Sequence, residues 1–158
     1  MKDIVLTRID DRLIHGQVVT AWIKQTNGNL VLIVDEKLAK DTFMQRVLKA
    51  SAPAGIVVKV ADIKNAVSFL SDEAVANERV VILAKSPQPL EALVDAGISL
   101  PVIVLGGMGA AAGRKRFNRN VSASEEEIAC MERLEAKGSA VQFQLVPDER
   151  AVPLKKLL

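Results

Sequence analysis

The stretch Leu30-Val31-Leu32-Ile33-Val34 decides the fold class of this chain. Its apolar side chains follow one another without a polar residue, whereas a strand with one solvated face alternates apolar and polar residues. Such a run is typical of a parallel strand that is covered on both faces. Similar short β-branched runs recur before and after it, and segments of helical periodicity separate them.

These elements predict a single domain over residues 1–158. Predicted strands cover residues 4–7, 30–34, 56–60, 79–84, 102–105 and 141–146, with a short one at Val121. Predicted helices cover residues 16–25, 41–50, 63–70, 89–96 and 124–138, with a short terminal helix over 152–158. This alternation predicts an α/β fold, a doubly wound and mainly parallel sheet with helices on both faces. Chemistry in such folds lies at the carboxyl ends of strands, which points to the loops Arg8–Gly16, Asp35–Lys40 and Gly106–Gly113.

Composition and charge exclude several classes of function. The net charge of +2 over 158 residues is too small for a protein that binds nucleic acid. The single cysteine, Cys130, allows no internal disulfide and anchors no metal site alone, and we expect it to be buried and inert. Four Phe, one Trp and no Tyr are too few for platforms that stack bases or sugar rings. No apolar run approaches the roughly 18 residues that span a bilayer, so we expect a cytoplasmic protein.

The loop after the first strand carries the strongest chemical signal. It reads Arg8-Ile9-Asp10-Asp11-Arg12-Leu13-Ile14-His15-Gly16-Gln17 and runs into a predicted helix start, where free backbone N–H groups favour an anion. His15, the only histidine, is a candidate nucleophile toward phosphorus, and the guanidinium groups of Arg8 and Arg12 suit phosphate oxygens. Gly16 and Gln17 at the helix start are further candidates for phosphate binding, because Gly16 lets the backbone approach an anion closely. The loop therefore predicts a phosphoryl-histidine site.

Other interpretations of these residues are open at this stage. A lone histidine near a helix start is often a cap or a solvated surface residue. Asp10 and Asp11 either orient the imidazole and the arginines or form an Asx-turn that shapes the loop.

The glycine-rich loop Gly106–Gly113 supports an alternative function, a flavodoxin-like regulatory module that binds a nucleotide or cofactor. A dinucleotide loop, however, follows the first strand and opens a helix, whereas this loop follows the fifth strand and leads into basic residues. We therefore favour a loop that borders the His15 site. The basic cluster Arg114, Lys115, Arg116 and Arg119 is either a solvated face or a docking patch for an acidic partner.

The first loop also resembles a family signature. The run from Arg8 to Val18 is similar to that of the IIB subunits of the bacterial phosphoenolpyruvate:sugar phosphotransferase system, in its mannose/fructose/sorbose group. Further stretches resemble the same family: Val34-Asp35-Glu36 with Asp41 and Pro53, Gly106-Gly107-Met108 with Gly113-Arg114-Lys115, and Gln144-Leu145-Val146-Pro147. One departure is Lys40, where relatives often carry Asn, so the charge beside the expected site differs.

The resemblance implies a phosphohistidine at His15, with the phosphate held by Arg12. It implies an enzyme, a protein-N-phosphohistidine–sugar phosphotransferase, that receives its phosphoryl group from a IIA domain and passes it to a sugar carried by IIC and IID membrane subunits. We expect no bound cofactor or metal. Mannose, fructose, sorbose and amino sugars remain open as the sugar, and a homo-oligomer remains open as the assembly.

Overall fold

The computed structural model describes residues 1–158 and alternates strands with helices. The strands are β1 (Ile4–Asp10), β2 (Leu30–Val34), β3 (Val57–Ala61), β4 (Val80–Ala84), β5 (Val102–Gly107), β6 (Lys115–Asn118), β7 (Val121–Ala123), β8 (Ala140–Phe143) and β9 (Val152–Pro153). The helices are α1 (Gly16–Thr26), α2 (Thr42–Ser51), α3 (Ile63–Ser71), α4 (Gln88–Asp95) and α5 (Glu125–Ala136), with short 3₁₀ turns at Leu38–Lys40 and Leu154–Lys156. None of the helices combines the length and apolar character that crossing a lipid bilayer requires.

The central sheet has seven strands in the order β3-β2-β4-β1-β5-β8-β9. All neighbouring pairs are parallel except β8 with the short edge strand β9. The predicted doubly wound α/β fold is confirmed. β1 lies near the middle of the sheet, so its carboxyl end is flanked by loops from both sides.

Two apolar clusters cover the two faces of the sheet. Side chains of β2 divide between them, because Leu30, Leu32 and Val34 join one cluster while Val31 and Ile33 join the other. The smaller cluster packs against α1 and α2, and the larger one against α3, α4 and α5. This double coverage explains why the strand reads as a continuous apolar run.

Side chains fix where three helices begin. The Asp41 carboxylate accepts a hydrogen bond from the Met44 N–H at the start of α2, and Asp62 does the same for Asn65 in α3. Ser124 and Glu127 form a capping box at the start of α5. The predicted bounds of α2, α3 and α5 therefore agree with the structure to within about two residues.

The structure differs from the prediction at the ends of two strands and in three further places. β1 continues to Asp10 and β5 to Gly107, so residues 8–10 and 106–107 lie in strands and not in the predicted loops. The short strand predicted at Val121 is present, but its pairing with Lys115–Asn118 as a hairpin was not predicted. The last predicted strand ends at Phe143, since Gln144 and Leu145 bond within the segment that follows, to Pro147 and Glu149. The predicted terminal helix is instead β9 followed by a 3₁₀ turn.

Candidate active site

The loop between β1 and α1 lies at the carboxyl edge of the sheet, as predicted. The Asp11 N–H donates to the Gly107 carbonyl at 3.0 Å, and the Gly109 N–H donates to the Asp11 carboxylate at 2.6 Å. The glycine-rich loop therefore borders the His15 loop, and no helix follows it that could bind a nucleotide phosphate. The chain next forms β6 instead.

His15 is the residue immediately before α1, with an extended backbone and no side-chain cap on the helix. The first N–H groups of α1 therefore have no side-chain acceptor, whereas those of α2, α3 and α5 do. An uncapped helix N-terminus with its partial positive charge favours an anion. His15 stands beside such a terminus, where a phosphoryl group on the imidazole would meet it.

The imidazole is turned toward the protein in this conformation. Its Nδ1 lies 3.0 Å from the Leu13 carbonyl oxygen, which can only accept, so Nδ1 carries the proton. Its Nε2 is buried and has no hydrogen-bond partner. A rotation of the side chain is needed before either nitrogen can meet a reaction partner.

Backbone geometry holds the loop in this shape. Leu13 and Gly16 have left-handed backbones, with φ of 57° and 46°. Leu13 and Ile14 are 4% and 6% exposed and pack into the apolar cluster under α1, so they anchor the loop. Leucine accepts this strained backbone because its side chain is buried there.

Arg12 is held by Asp10 through a two-pronged contact. Arg12 Nε and Nη2 each donate to the Asp10 carboxylate at 3.0 Å, and the Arg12 backbone N–H donates to Oδ1 at 3.1 Å. The Asp10 side chain is 1% exposed, while that of Arg12 is 46% exposed. Its hydrogen bonds to Asp10 raise the pKa of Arg12 above its ordinary value. Arg12 thus presents a fixed positive charge to solvent at the rim of the loop.

Arg8 requires a correction, because its side chain is only 1% exposed. Its Nη1 donates to the Gln144 carbonyl at 2.7 Å, and its Nη2 donates to the Leu145 carbonyl at 2.9 Å and to Asp10 at 3.4 Å. Burial lowers the pKa of Arg8 to about 10, which leaves it charged at neutral pH. The predicted position of Arg8 as a surface phosphate ligand does not fit this burial, because its outer nitrogens donate to protein acceptors below the surface.

Asp11 belongs to a second arginine network. Its carboxylate lies 3.5 Å from Arg114 Nη1, and Arg114 also forms a two-pronged ion pair with Glu127 at 2.9 and 2.8 Å. Asp11 therefore ties the His15 loop to the glycine-rich loop and to α5, and it does not contact the imidazole. Arg114 is engaged in this network and is not a free member of a docking patch.

The remaining basic residues of the cluster also differ from one another. Arg119 forms an ion pair with Glu149 and lies over the Phe143 ring, whereas Lys115 and Arg116 are exposed and have no ion pair. Gln17 is exposed in the first turn of α1, at a surface cavity that it shares with Val146 and Pro147. It lies beside the loop and makes no hydrogen bond there, and its predicted role in phosphate binding stays a prediction.

The segment 144–149 is the part of the site that residue patterns missed. Trp22 is buried, and its Nε1 donates to the Leu145 carbonyl at 2.9 Å. Glu149 accepts from the Leu145 N–H at 2.9 Å. The Trp22 contact joins residues 123 positions apart, and the only signal for the segment was the family-like run from Gln144 to Pro147. No cluster of three His, Cys, Asp or Glu side chains is arranged to hold a metal ion.

Comparisons of this chain with known proteins agree on one family. A model described as the PTS system sorbose subfamily IIB component matches residues 4–158. The chain is 34% identical to the mannose-specific EIIAB component of Escherichia coli K12 over 97% of its own length and 47% of the relative's, so it spans about half of that protein. It is 34% identical to the sorbose-specific EIIB component of Lacticaseibacillus casei, over 90% of this chain and 87% of that one.

A solved structure extends the match to three dimensions. The crystal structure of the IIB domain of the sorbose permease from Klebsiella pneumoniae superposes with a TM-score of 0.93 and 29% identity, over 98% of this chain and 95% of that chain. Fold, loop position and sequence therefore agree along almost the whole length. The chain belongs to the sorbose subfamily of IIB components of the phosphotransferase system.

Proposed function

We propose that residues 1–158 act as one phosphocarrier domain that accepts a phosphoryl group from a IIA phosphohistidine onto His15. The group then passes to a sugar carried by IIC and IID membrane subunits. The observation that carries this proposal is the position of His15 at the uncapped start of α1, on the same loop as the clamped Arg12. Family membership supports it, and the chain works in the cytoplasm with peripheral contact to the membrane subunits.

The reaction is two successive in-line transfers. In the first, a free nitrogen of the neutral His15 imidazole forms a bond to phosphorus while the P–N bond of the donor breaks, and the donor imidazole leaves. In the second, a sugar hydroxyl attacks the phosphorus, the P–N bond to His15 breaks, and the hydroxyl proton is released. Both transition states spread negative charge over three equatorial oxygens.

The chain stabilises this charge with groups that are already in place. Arg12 is fixed by Asp10 before the phosphoryl group arrives, so little reorganisation is needed at the moment of transfer. Gly16 and Gln17 supply backbone N–H groups at the start of α1. The His15 imidazole swings away from the Leu13 carbonyl to meet the donor.

A reconstituted transfer assay tests this function. The protein is mixed with labelled phosphoenolpyruvate, the general phosphotransfer proteins and a IIA domain, and then with vesicles that contain IIC and IID and with each candidate sugar in turn. We expect label on the chain, followed by loss of that label into one of the sugars. His15→Gln is the control and should carry no label.

Two outcomes would contradict the proposal. One is a label that forms and stays on the protein with every candidate sugar. The other is saturable binding of a nucleotide without any labelling, which is the behaviour of the flavodoxin-like alternative. Calorimetry with nucleotides on the same preparation distinguishes that alternative from an inactive sample.

A further inference from the structure

Arg8 is a buried arginine whose contacts reach three distant parts of the chain. Besides Asp10 and the carbonyls of Gln144 and Leu145, its guanidinium lies over the Trp22 ring, 5.0 Å from the ring centroid. We propose that Arg8 is a positioning residue for phosphoryl transfer, which acts through Asp10 and keeps the positive charge of Arg12 available to the phosphoryl group. This inference rests on the proposed function.

The charges in the cluster explain why a second arginine is needed. Asp10 holds Arg12 by hydrogen bonds, but the negative charge of Asp10 would by itself cancel the positive charge that Arg12 presents to the phosphoryl oxygens. Arg8 supplies the missing countercharge from the buried side, since its Nη2 and Arg12 Nη2 both donate to Asp10 Oδ2, at 3.4 and 3.0 Å. Asp10 can then orient Arg12 while the three groups together keep one positive charge.

The protein is shaped to hold a guanidinium at this place. Gly106 lies against Arg8, and a Cβ added there would be 2.1 Å from Arg8 Nη2. Two carbonyls converge on the outer nitrogens, and the Trp22 Nε1 donates to one of the same carbonyls, that of Leu145. Lysine has a single nitrogen and cannot reach both carbonyls and Asp10 together.

A double-mutant cycle tests the inference. The rate of transfer from phosphorylated IIA to His15 is measured at saturating IIA in Arg8→Met, in Arg12→Gln and in the double variant. We expect Arg8→Met alone to lower the saturated rate about tenfold, less than the loss of a donor that touches the phosphoryl group. In the Arg12→Gln background the same change should lower it less than about twofold, because its effect passes through Arg12.

Lys2→Met is the matched control. Lys2 is also a buried cation, since its side chain is 6% exposed, pairs with Glu78 at 3.1 Å and lies over the Phe69 ring. It precedes β1 at the opposite end of that strand, so its loss leaves Asp10 and both arginines intact. We expect a saturated rate within about twofold of wild type, even where urea denaturation shows a loss of stability comparable to that of Arg8→Met. If Arg8→Met does not fold, Arg8→Lys and Gly106→Ala enter the cycle in its place.

The inference is overturned by additive losses in the cycle, by a wild-type rate in the Arg8 variants, or by an equal loss of rate in Lys2→Met. Its failure is distinct from failure of the proposed function. If only the inference fails, the wild-type chain still takes the label, and the Arg8 variants change the stability of the fold without changing the rate through Arg12. If the proposed function fails, the wild-type chain takes no label.

Discussion

Asp10 accepts four hydrogen bonds at one buried carboxylate, three from Arg12 and one from Arg8. An unpaired carboxylate in such a place is costly, and charge-assisted hydrogen bonds compensate for that cost. The same contacts fix the plane of the Arg12 guanidinium. At the scale of single residues, the site is therefore an oriented arginine three positions before a histidine at a helix start.

Arg12→Lys tests the importance of that orientation. Lysine keeps the charge, but it cannot form the two-pronged contact with Asp10 or present a planar donor. Loss of one preorganised donor costs about 2.7–4 kcal/mol of transition-state stabilisation, which slows a reaction roughly a hundred- to thousandfold. Because lysine keeps the charge, we expect Arg12→Lys to slow the transfer by somewhat less than this. Rapid-quench measurement of transfer from IIA checks this, and a rate within about twofold of wild type would assign Arg12 only a structural role in the loop.

The roles of single residues could be predicted where the contacts are local. His15, Arg12 and Asp10 lie within six positions of one another, so the sequence of the loop indicates how they cooperate. Arg8 was predicted to bind phosphate, because the loop sequence does not show its actual partners. These partners, Gln144 and Leu145, are 136 and 137 positions away. Nothing in its neighbourhood along the chain shows that the side chain points inward.

Individual helices differ in what their ends bind. Side chains cap α2, α3 and α5, whereas α1 and α4 begin without such a cap, and only α1 begins beside a histidine. Apolar periodicity and turn residues were sufficient to predict these helices. The hairpin of β6 and β7 was missed because Lys115–Asn118 is short and basic and has no apolar alternation typical of a strand. It is extended because it pairs with β7.

An ion-pair network joins α4 to α5 and makes the stability of the fold depend on pH. Glu91 accepts hydrogen bonds from Arg133 and Lys137, and these contacts, that with Arg133 above all, lower the pKa of Glu91 from 4.5 to about 2. A pKa that is lower in the folded state adds stability above pH 4.5, and this stability is lost as the pH falls toward 2.

Glu91→Gln should therefore lower the urea midpoint at pH 7, and its difference from wild type should shrink as the pH falls from 4.5 toward 2. Glu126→Gln is the matched control, because Glu126 also contacts Arg133 but is 67% exposed, where ion pairs contribute little. A difference between Glu91→Gln and wild type that stays constant with pH would contradict this assignment.

The whole molecule brings the site together through its strand order. β1 lies between β4 and β5, so the His15 loop meets the glycine-rich loop from β5, and β8 carries the segment 144–149 to the same edge. Parallel topology predicted that the first two loops would meet. The position of the segment 144–149 could not be predicted from the topology, because the last strand was predicted to continue to Val146, inside this segment.

The distribution of charge over the molecule makes a prediction about the encounter with IIA. Of the basic cluster, Lys115 and Arg116 remain exposed and unpaired. Arg116→Glu should lower the transfer rate below saturation and weaken its salt dependence, while the saturated rate changes little, since exposed charges act mainly on association. Lys49→Glu makes the same change in charge in the last turn of α2, far from the site edge, and should have little effect. If Arg116→Glu and Lys49→Glu change the transfer rate and its salt dependence equally, the basic cluster is a solvated face and not a docking patch.

The most direct measurement maps the phosphoryl group itself. The wild-type chain and His15→Gln are incubated with labelled phosphoenolpyruvate, the general phosphotransfer proteins and IIA, and the label is located by peptide mapping under mildly alkaline conditions. We predict one acid-labile group per chain, on the peptide that contains His15, and an unlabelled but folded His15→Gln protein. Label on any other residue, or equal labelling of folded His15→Gln, would contradict the phosphohistidine mechanism.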